Sequence, residues 1–225
     1  KEWPRPPFFD CYESMDVGGV DFTAVLFAYY DYRADKVIIE DEIVIDFQQP
    51  GNNLEVLTNE IIRKEEVNWT NHLSGEVKRP KIRVSDSNPI ALNEIRKYSH
   101  GKVSFATTRK DDKDTALNNF RVLLKAEKII IHPRCVHFIR HLTNVRWKNK
   151  NSKNDFARSP DNGHYDTVPA GIYLVRNIDY RHNPYPPGYD VNLRKADAFI
   201  YNPENLVNKT DTKSIYKRIF NIKGR

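Results

Sequence analysis

Three aspartates carry the chemistry that this sequence offers: Asp16 in "SMDVGG", Asp86 in "VSDSNP" and Asp166 in "GHYDTVP". Carboxylates gathered at one site repel each other unless divalent cations bind between them. Their hard oxygens suit Mg2+ or Mn2+, with water and a substrate phosphate completing the shell. Two such ions about 4 Å apart activate a water and stabilise the leaving oxygen of a phosphodiester. Each acid also has a simpler role open to it. Asp16 can open a turn with Gly18-Gly19, Asp86 can cap the helix that follows, and Asp166 can be a first-turn charge on a helix dipole. Asp21 can assist the metal or only begin a strand, and His164 can tune Asp166 or only flank a helix. The other histidines (His72, His100, His132, His137, His141, His182) have no zinc-type spacing. There is neither "GxSxG" nor "GxxxxGK[ST]", so the chain contains no nucleophile elbow and no P-loop.

The elements that must position these acids are legible in the hydrophobic pattern. "CYESMDV", "TAVLFAYYDY" and "KVIIEDEIVIDF" are three strands with short connections, an antiparallel meander. An acid on the first of them costs several kcal/mol unless something pairs with it, and a metal ion is one such partner. Leu54, Leu57, Ile61 and Ile62 repeat at helical spacing to about Glu66, capped by Asn52 or Asn53. "KIRVSD" is a short strand ending at Asp86. A helix follows with Ser87 or Asn88 as cap, Pro89 in its first turn and Gly101 just beyond its end. "KVSFATT" is a strand, "DDKDTALNNFRVLLKAE" a helix, "KIIIHP" a strand and "CVHFIRHLTN" a helix. This alternation adds parallel strands to the meander. "VRWKNKNSKNDFARS" reads as a basic hairpin, and "GHYDTVPAGIYLVRNIDY" as a helix with Pro169 near its start. From His182 on the chain is Pro/Asn-rich and irregular, with a last short helix expected at "TKSIYKRIFNI".

An antiparallel three-strand meander followed by parallel strands, with helices on its flanks, is the layout of a ribonuclease-H-like α/β fold. In it the first and fourth strands lie side by side at the centre of a mixed sheet. That puts Asp16 and Asp86 at the end of the sheet where open α/β folds gather ligands.

The bulk composition agrees with such a domain. The 225 residues are 39% hydrophobic, which supports a real core, and the net charge of +6 with pI near 9.1 favours a polyanionic partner. Cys11 and Cys135 stand far apart and form no disulfide framework, which fits a reducing, intracellular setting. No apolar run reaches membrane-spanning length. The Pro-rich opening "KEWPRPPFFD" reads as a linker remnant, giving residues 1–10 as linker, 11–187 as the ribonuclease-H-like domain and 188–225 as a basic C-terminal tail.

"MDVGGVDFTAV", "VSDSNPIALNEIRKY", "KIIIHPRCVHFIRHL" and above all "GHYDTVPAGIYLVRNIDYRHNPYP" resemble the nuclease domain of phage terminase large subunits, the motor-nucleases that package viral DNA. The likeness runs in order from about Asp10 to Pro186. It implies a two-metal nuclease with Mg2+ or Mn2+ held by Asp16, Asp86 and Asp166, acting on double-stranded DNA. It further implies an ATPase domain in the same polypeptide, docking to a viral portal and a small terminase subunit, and residence in the host cytoplasm with transient attachment to the procapsid. The segment before the third acid is a β-hairpin in that family, so Lys148, Lys150 and Lys153 are expected on the DNA backbone. Val17 departs from the family, where a Pro is frequent. Two other classes stay open on the residues alone: a resolvase or transposase core, and a non-catalytic nucleic-acid-binding module whose acids are structural.

Overall fold

Three long apolar strands form the middle of the sheet: β1 (Asp10–Asp16), β2 (Phe22–Asp31) and β3 (Lys36–Asp46). They pair antiparallel in the expected meander. The computed structural model describes residues 2–18, 22–71, 74–86, 88–108, 111–149, 152–157, 165–187 and 189, and at 149 and 152–155 the backbone alone. β4 (Ile82–Ser85) lies parallel to β1, β5 (Ala106–Thr107) parallel to β4, and β6 (Ile129–Ile131) parallel to β3. The order across the sheet is therefore β5-β4-β1-β2-β3-β6, with β1 and β4 adjacent near its centre. A separate ribbon pairs β7 (Trp147–Asn149) with β8 (Ser152–Phe156).

Helices cover both faces, which is why β2 reads as an almost unbroken apolar run rather than an alternating one. On one face α1 (Leu54–Trp69) and α2 (Pro89–Tyr98) lay Leu57, Ile61, Trp69 and Ile95 against Cys11, Met15, Val25 and Phe27. On the other, α3 (Lys113–Lys125), α4 (Val136–Asn144) and α5 (Thr167–Asn177) pack Phe120, Phe138, Val168 and Leu174 against Tyr12, Leu26, Ala28 and Ile39. Asn53 and Asn88 cap α1 and α2 through backbone N–H groups of Val56 and Ala91, and Gly101 takes the positive φ of +80° just past α2.

Three features differ from the sequence expectation. The strand expected across "KVSFATT" pairs at only two residues, Ala106 with Val84 and Thr107 with Ser85 of β4. Val103 and Phe105 are buried all the same, as plugs under α1 and α2. The late helix starts at Thr167, after a left-handed Tyr165 at φ +60°. The opening segment, expected as a linker, is held to the sheet: Trp3 Nε1 donates to Asp31 at 3.0 Å, and Arg5 pairs with Glu40. Glu40 sits in a β-bulge, since Ala28 faces Ile39 while Phe27 faces Asp41, and it also accepts the Trp69 indole N–H.

The chain divides into two compact units, Lys1–Asn183 and Pro184–Arg225, and the elements above all belong to the first. Among the described residues no helix is long and apolar enough to cross a membrane.

The contact between α4 and α5 depends on one glycine. A Cβ at Gly171 would stand 2.8 Å from Phe138 Cζ and 3.4 Å from Phe120 Cε2, and both rings are buried. Gly171→Ala gains about 1 kcal/mol of helix propensity but must displace packed rings, at a cost of about 1–3 kcal/mol. The urea midpoint of this variant is expected to fall. A higher midpoint would mean that the rings move aside freely.

Candidate active site

The β1–β4 ladder ends with Met15 opposite Ser85, and the Asp86 N–H continues it by donating to the Met15 carbonyl at 3.3 Å. Asp16 and Asp86 are thus the next neighbours in register, on adjacent parallel strands about 4.8 Å apart. Alternation along β1 sends Cys11 and Met15 toward α1 and α2, and Tyr12 toward α5. Asp16 follows Tyr12 on the α5 side, and Asp86 follows Ile82 there on β4. Both acids are half-buried at the carboxyl ends of their strands.

α5 crosses this pair, packing on β1, β2 and β4. Its last turn is tied down where Asn177 donates to Thr108 Oγ1 at 3.2 Å, while the Thr108 N–H donates to the Ser85 carbonyl at 2.8 Å. One turn earlier on α5 is Tyr173. Burial first, then the negative charges of Asp16 and Asp86, push its phenol above the usual tyrosine range. The phenol therefore stays protonated beside the two carboxylates and is available as a hydrogen-bond donor.

Asp166 occupies the N-cap position of α5 with helical backbone angles, and its side chain makes no capping hydrogen bond. It is 4% exposed. It therefore makes no cap, and a first-turn charge on the helix dipole and a metal ligand stay as its two roles. Its neighbours are fixed from α4: the Thr167 hydroxyl and His141 Nδ1 are 2.8 Å apart, and the His141 ring meets Tyr165 edge-on at 5.6 Å. Burial lowers the His141 pKa to about 4, so its imidazole is neutral.

Of the three sequence-expected ligands, the fold sets two side by side. Among the described residues no group of three or more His, Cys, Asp or Glu is arranged to hold a metal ion. The donor chemistry of the pair, two carboxylates, fits a hard divalent cation. The two cysteines are buried and free, and burial pushes both thiols up. Asp21, His164 and Lys150 lie outside the described residues, as does the side chain of Lys153. Lys148 is exposed on β7. The hairpin that carries it forms as expected and is pinned by Trp147 stacked on Phe156 at 4.9 Å, with the Arg121 guanidinium 5.8 Å from the Trp147 ring centre.

Sequence reasoning missed Tyr173, His141 and Thr167. For Tyr173 a signal existed, because seven residues, or two helical turns, separate it from Asp166 and put both on one face. His141 gave none, since its partner on α5 is 26 residues away.

Neither a protein-family model nor a curated protein matches the sequence. Solved structures match it in fold. The large terminase of a thermophilic bacteriophage, in complex with ADP, aligns over 78% of this chain and 41% of its own, with TM-score 0.60 and 16% identity. The nuclease domain of the large terminase (g2p) of bacteriophage SPP1 with bound Mn aligns over 76% of this chain and 87% of its own, with TM-score 0.52 and 22% identity. The large terminase nuclease from the thermophilic phage G20c with bound magnesium aligns over 76% and 83%, with TM-score 0.50 and 15% identity. The chain thus spans about two fifths of the ADP-bound terminase and matches most of the isolated nuclease domains. The expected ribonuclease-H-like fold is the fold of these domains.

Proposed function

We propose that this chain is the metal-dependent endonuclease domain of a viral DNA-packaging terminase, cutting double-stranded DNA as concatemeric genomes enter and fill the capsid. The observation that carries this reading is the register of Asp16 beside Asp86 at the carboxyl ends of β1 and β4, in a fold whose SPP1 and G20c counterparts are described with bound Mn and magnesium. Asp16, Asp86 and Asp166 are the ligands assigned to a pair of Mg2+ or Mn2+ ions. Bound there, the ions would activate a water and stabilise the leaving oxygen of the phosphodiester. The Tyr173 phenol, which feels the charges of both Asp16 and Asp86, is assigned to donate to one of these carboxylates or to a phosphate oxygen and so to keep the acids oriented. Asp21 and His164 are assigned supporting roles around the ligands. The nuclease occupies residues 11–187, and the basic tail 188–225 is assigned to docking on the portal or on other parts of the motor. The proposed partners are an ATPase domain in the same polypeptide, the small terminase subunit and the portal, in the host cytoplasm.

The test is cleavage of supercoiled plasmid and of linear duplex with Mn2+ or Mg2+, set against EDTA. Nicking and linearisation with either ion, and none with EDTA, is expected. Duplex binding without cleavage under any divalent ion would reduce the protein to a binding module. Cleavage confined to branched DNA would make it a resolvase.

The hairpin lysines are assigned to the DNA backbone, where contacts position the duplex without reading sequence. Replacing Lys148, Lys150 and Lys153 together by Ala is expected to weaken binding to any duplex and to lower the slope of log K against log salt by up to about 2.7. An unchanged slope takes the hairpin off the DNA path.

A further inference from the structure

The third acid, Asp166, is set by a relay that begins on the far side of the sheet edge. Glu42 of β3 accepts the backbone N–H of His137 at 2.7 Å and of Phe138 at 2.8 Å, and lies 3.0 Å from His137 Nδ1. These N–H groups belong to the first turn of α4, where no intrahelical acceptor exists for them and a carboxylate is favoured. Glu42 therefore fixes the start of α4 to the sheet. Two contacts then join α4 to α5. The Phe138 ring fills the space that Gly171 leaves empty, and one turn further along α4 His141 bonds Thr167. The second contact is buried on both sides, with His141 1% and Thr167 0% exposed. It grips the first residue of α5, immediately after Asp166, while the edge of Tyr165 rests on the same imidazole immediately before it. Tyr165 holds a left-handed backbone that a bulky residue adopts only under constraint from its surroundings.

We propose that His141 and Thr167 are positioning residues that set the Asp166 carboxylate for metal binding, acting through the clamp that α4 places around residues 165–167. This inference rests on the nuclease reading above for its metal. Its geometry is independent of that reading. Hydrogen-bonding partners behind a ligand tune metal affinity or activity by about 10- to 100-fold, so the effect is measurable.

The informative variant is Thr167→Val, which keeps the volume of the buried side chain and removes its hydroxyl. Thr167→Ser restores the hydroxyl. His141→Leu removes the partner, and His141→Asn retains a polar atom near the position of Nδ1. Three readouts on the full chain separate the outcomes. Hydrogen exchange without metal is expected to be roughly five- to tenfold faster at the amides of residues 166–168 in Thr167→Val and in His141→Leu. Calorimetric titration with Mn2+ is expected to show at least about tenfold weaker binding in both. Their kcat should fall in parallel, while KM for duplex DNA stays within about twofold, because the hairpin lysines assigned to the DNA backbone are left intact. Thr167→Ser and His141→Asn should recover most of each loss. The double variant should lose no more than either single one, since both remove the same bond.

Unchanged exchange in Thr167→Val and His141→Leu overturns the clamp itself. Faster exchange with wild-type Mn2+ affinity and kcat overturns its role toward the metal and leaves only a helix contact. If the unsubstituted protein binds no Mn2+, the nuclease reading fails on its own evidence and the role toward the metal fails with it. The exchange data then still decide whether the clamp exists.

Discussion

Asp86→Asn protein is expected to bind duplex DNA as tightly as the unsubstituted chain and to cut it at least about a thousandfold more slowly. Asn keeps the shape of the side chain and removes the charge that a second cation needs. A site short of one ion still meets the phosphate backbone through its surface cations, but it cannot serve both the attacking and the leaving oxygen. Asp16→Asn is expected to match it, Asp166→Asn to lose cleavage to a similar degree, and Asp21→Asn to be milder. Stability separates these acids further. Asp16 and Asp86 are like charges at neighbouring register positions, an arrangement that destabilises a sheet. Neutralising either one should raise the melting temperature in EDTA and shrink the stabilisation that Mn2+ gives. Asp166 belongs to α5 and not to the β1–β4 register, so its Asn variant should show a smaller rise in EDTA. Cleavage assays paired with melting curves in EDTA and in Mn2+ check both parts. A fully active Asp86→Asn protein would sink the metal assignment.

The parts of the fold that sequence could reveal are those governed by local rules. Strand periodicity gave the meander, Asn53 and Asn88 stood where helix caps belong, and Gly101 marked an end that needs positive φ. The adjacency of Asp16 and Asp86 followed from the ribonuclease-H-like layout, in which the first and fourth strands lie side by side. What could not be read is the set of buried acids in the strands. Glu13, Glu40 and Glu42 look like solvent-facing positions of a half-exposed sheet, yet all three are buried. Their partners lie far along the chain: Arg83 for Glu13, Arg5 and Trp69 for Glu40, and the start of α4 for Glu42. No local pattern announces such a pairing. The bulge at Glu40 is similar, since it shows only when both strands are laid together. The same limit hides His141, whose partner Thr167 lies on another helix, whereas Tyr173 shares a helix face with Asp166 and was legible in principle.

Arg83→Met is expected to be the most damaging single change outside the acids themselves. Arg83 Nε donates to Glu13 at 2.8 Å and to Glu65 at 2.9 Å, and its Nη2 donates to Glu65 at 2.5 Å, so one guanidinium joins β4 to β1 and α1. Glu13 is 0% exposed and its Oε1 makes no hydrogen bond among the described residues. Burial first, then the Glu65 carboxylate, raise the Glu13 pKa well above its ordinary 4.5, against the pull of Arg83. Removing the cation strands two acids in the interior, at a cost of about 3–5 kcal/mol, a large share of the 5–15 kcal/mol that holds a typical domain together. The pH dependence identifies the cause. Above pH 4.5 the unfolded chain releases the Glu13 proton while the folded chain keeps it, so this group's contribution falls as pH rises from 4.5 toward the raised folded value. Glu13→Gln should remove that slope and leave the protein at least as stable at pH 7. Urea midpoints of both variants and the parent, taken from pH 5 to 8, check the pair of outcomes. If Arg83→Met costs under about 1 kcal/mol, the network is not what joins β1 to β4. Glu13 and Arg83 each lie three residues before Asp16 and Asp86, so the loosened register that follows Arg83→Met should also cost cleavage, even where the protein remains folded.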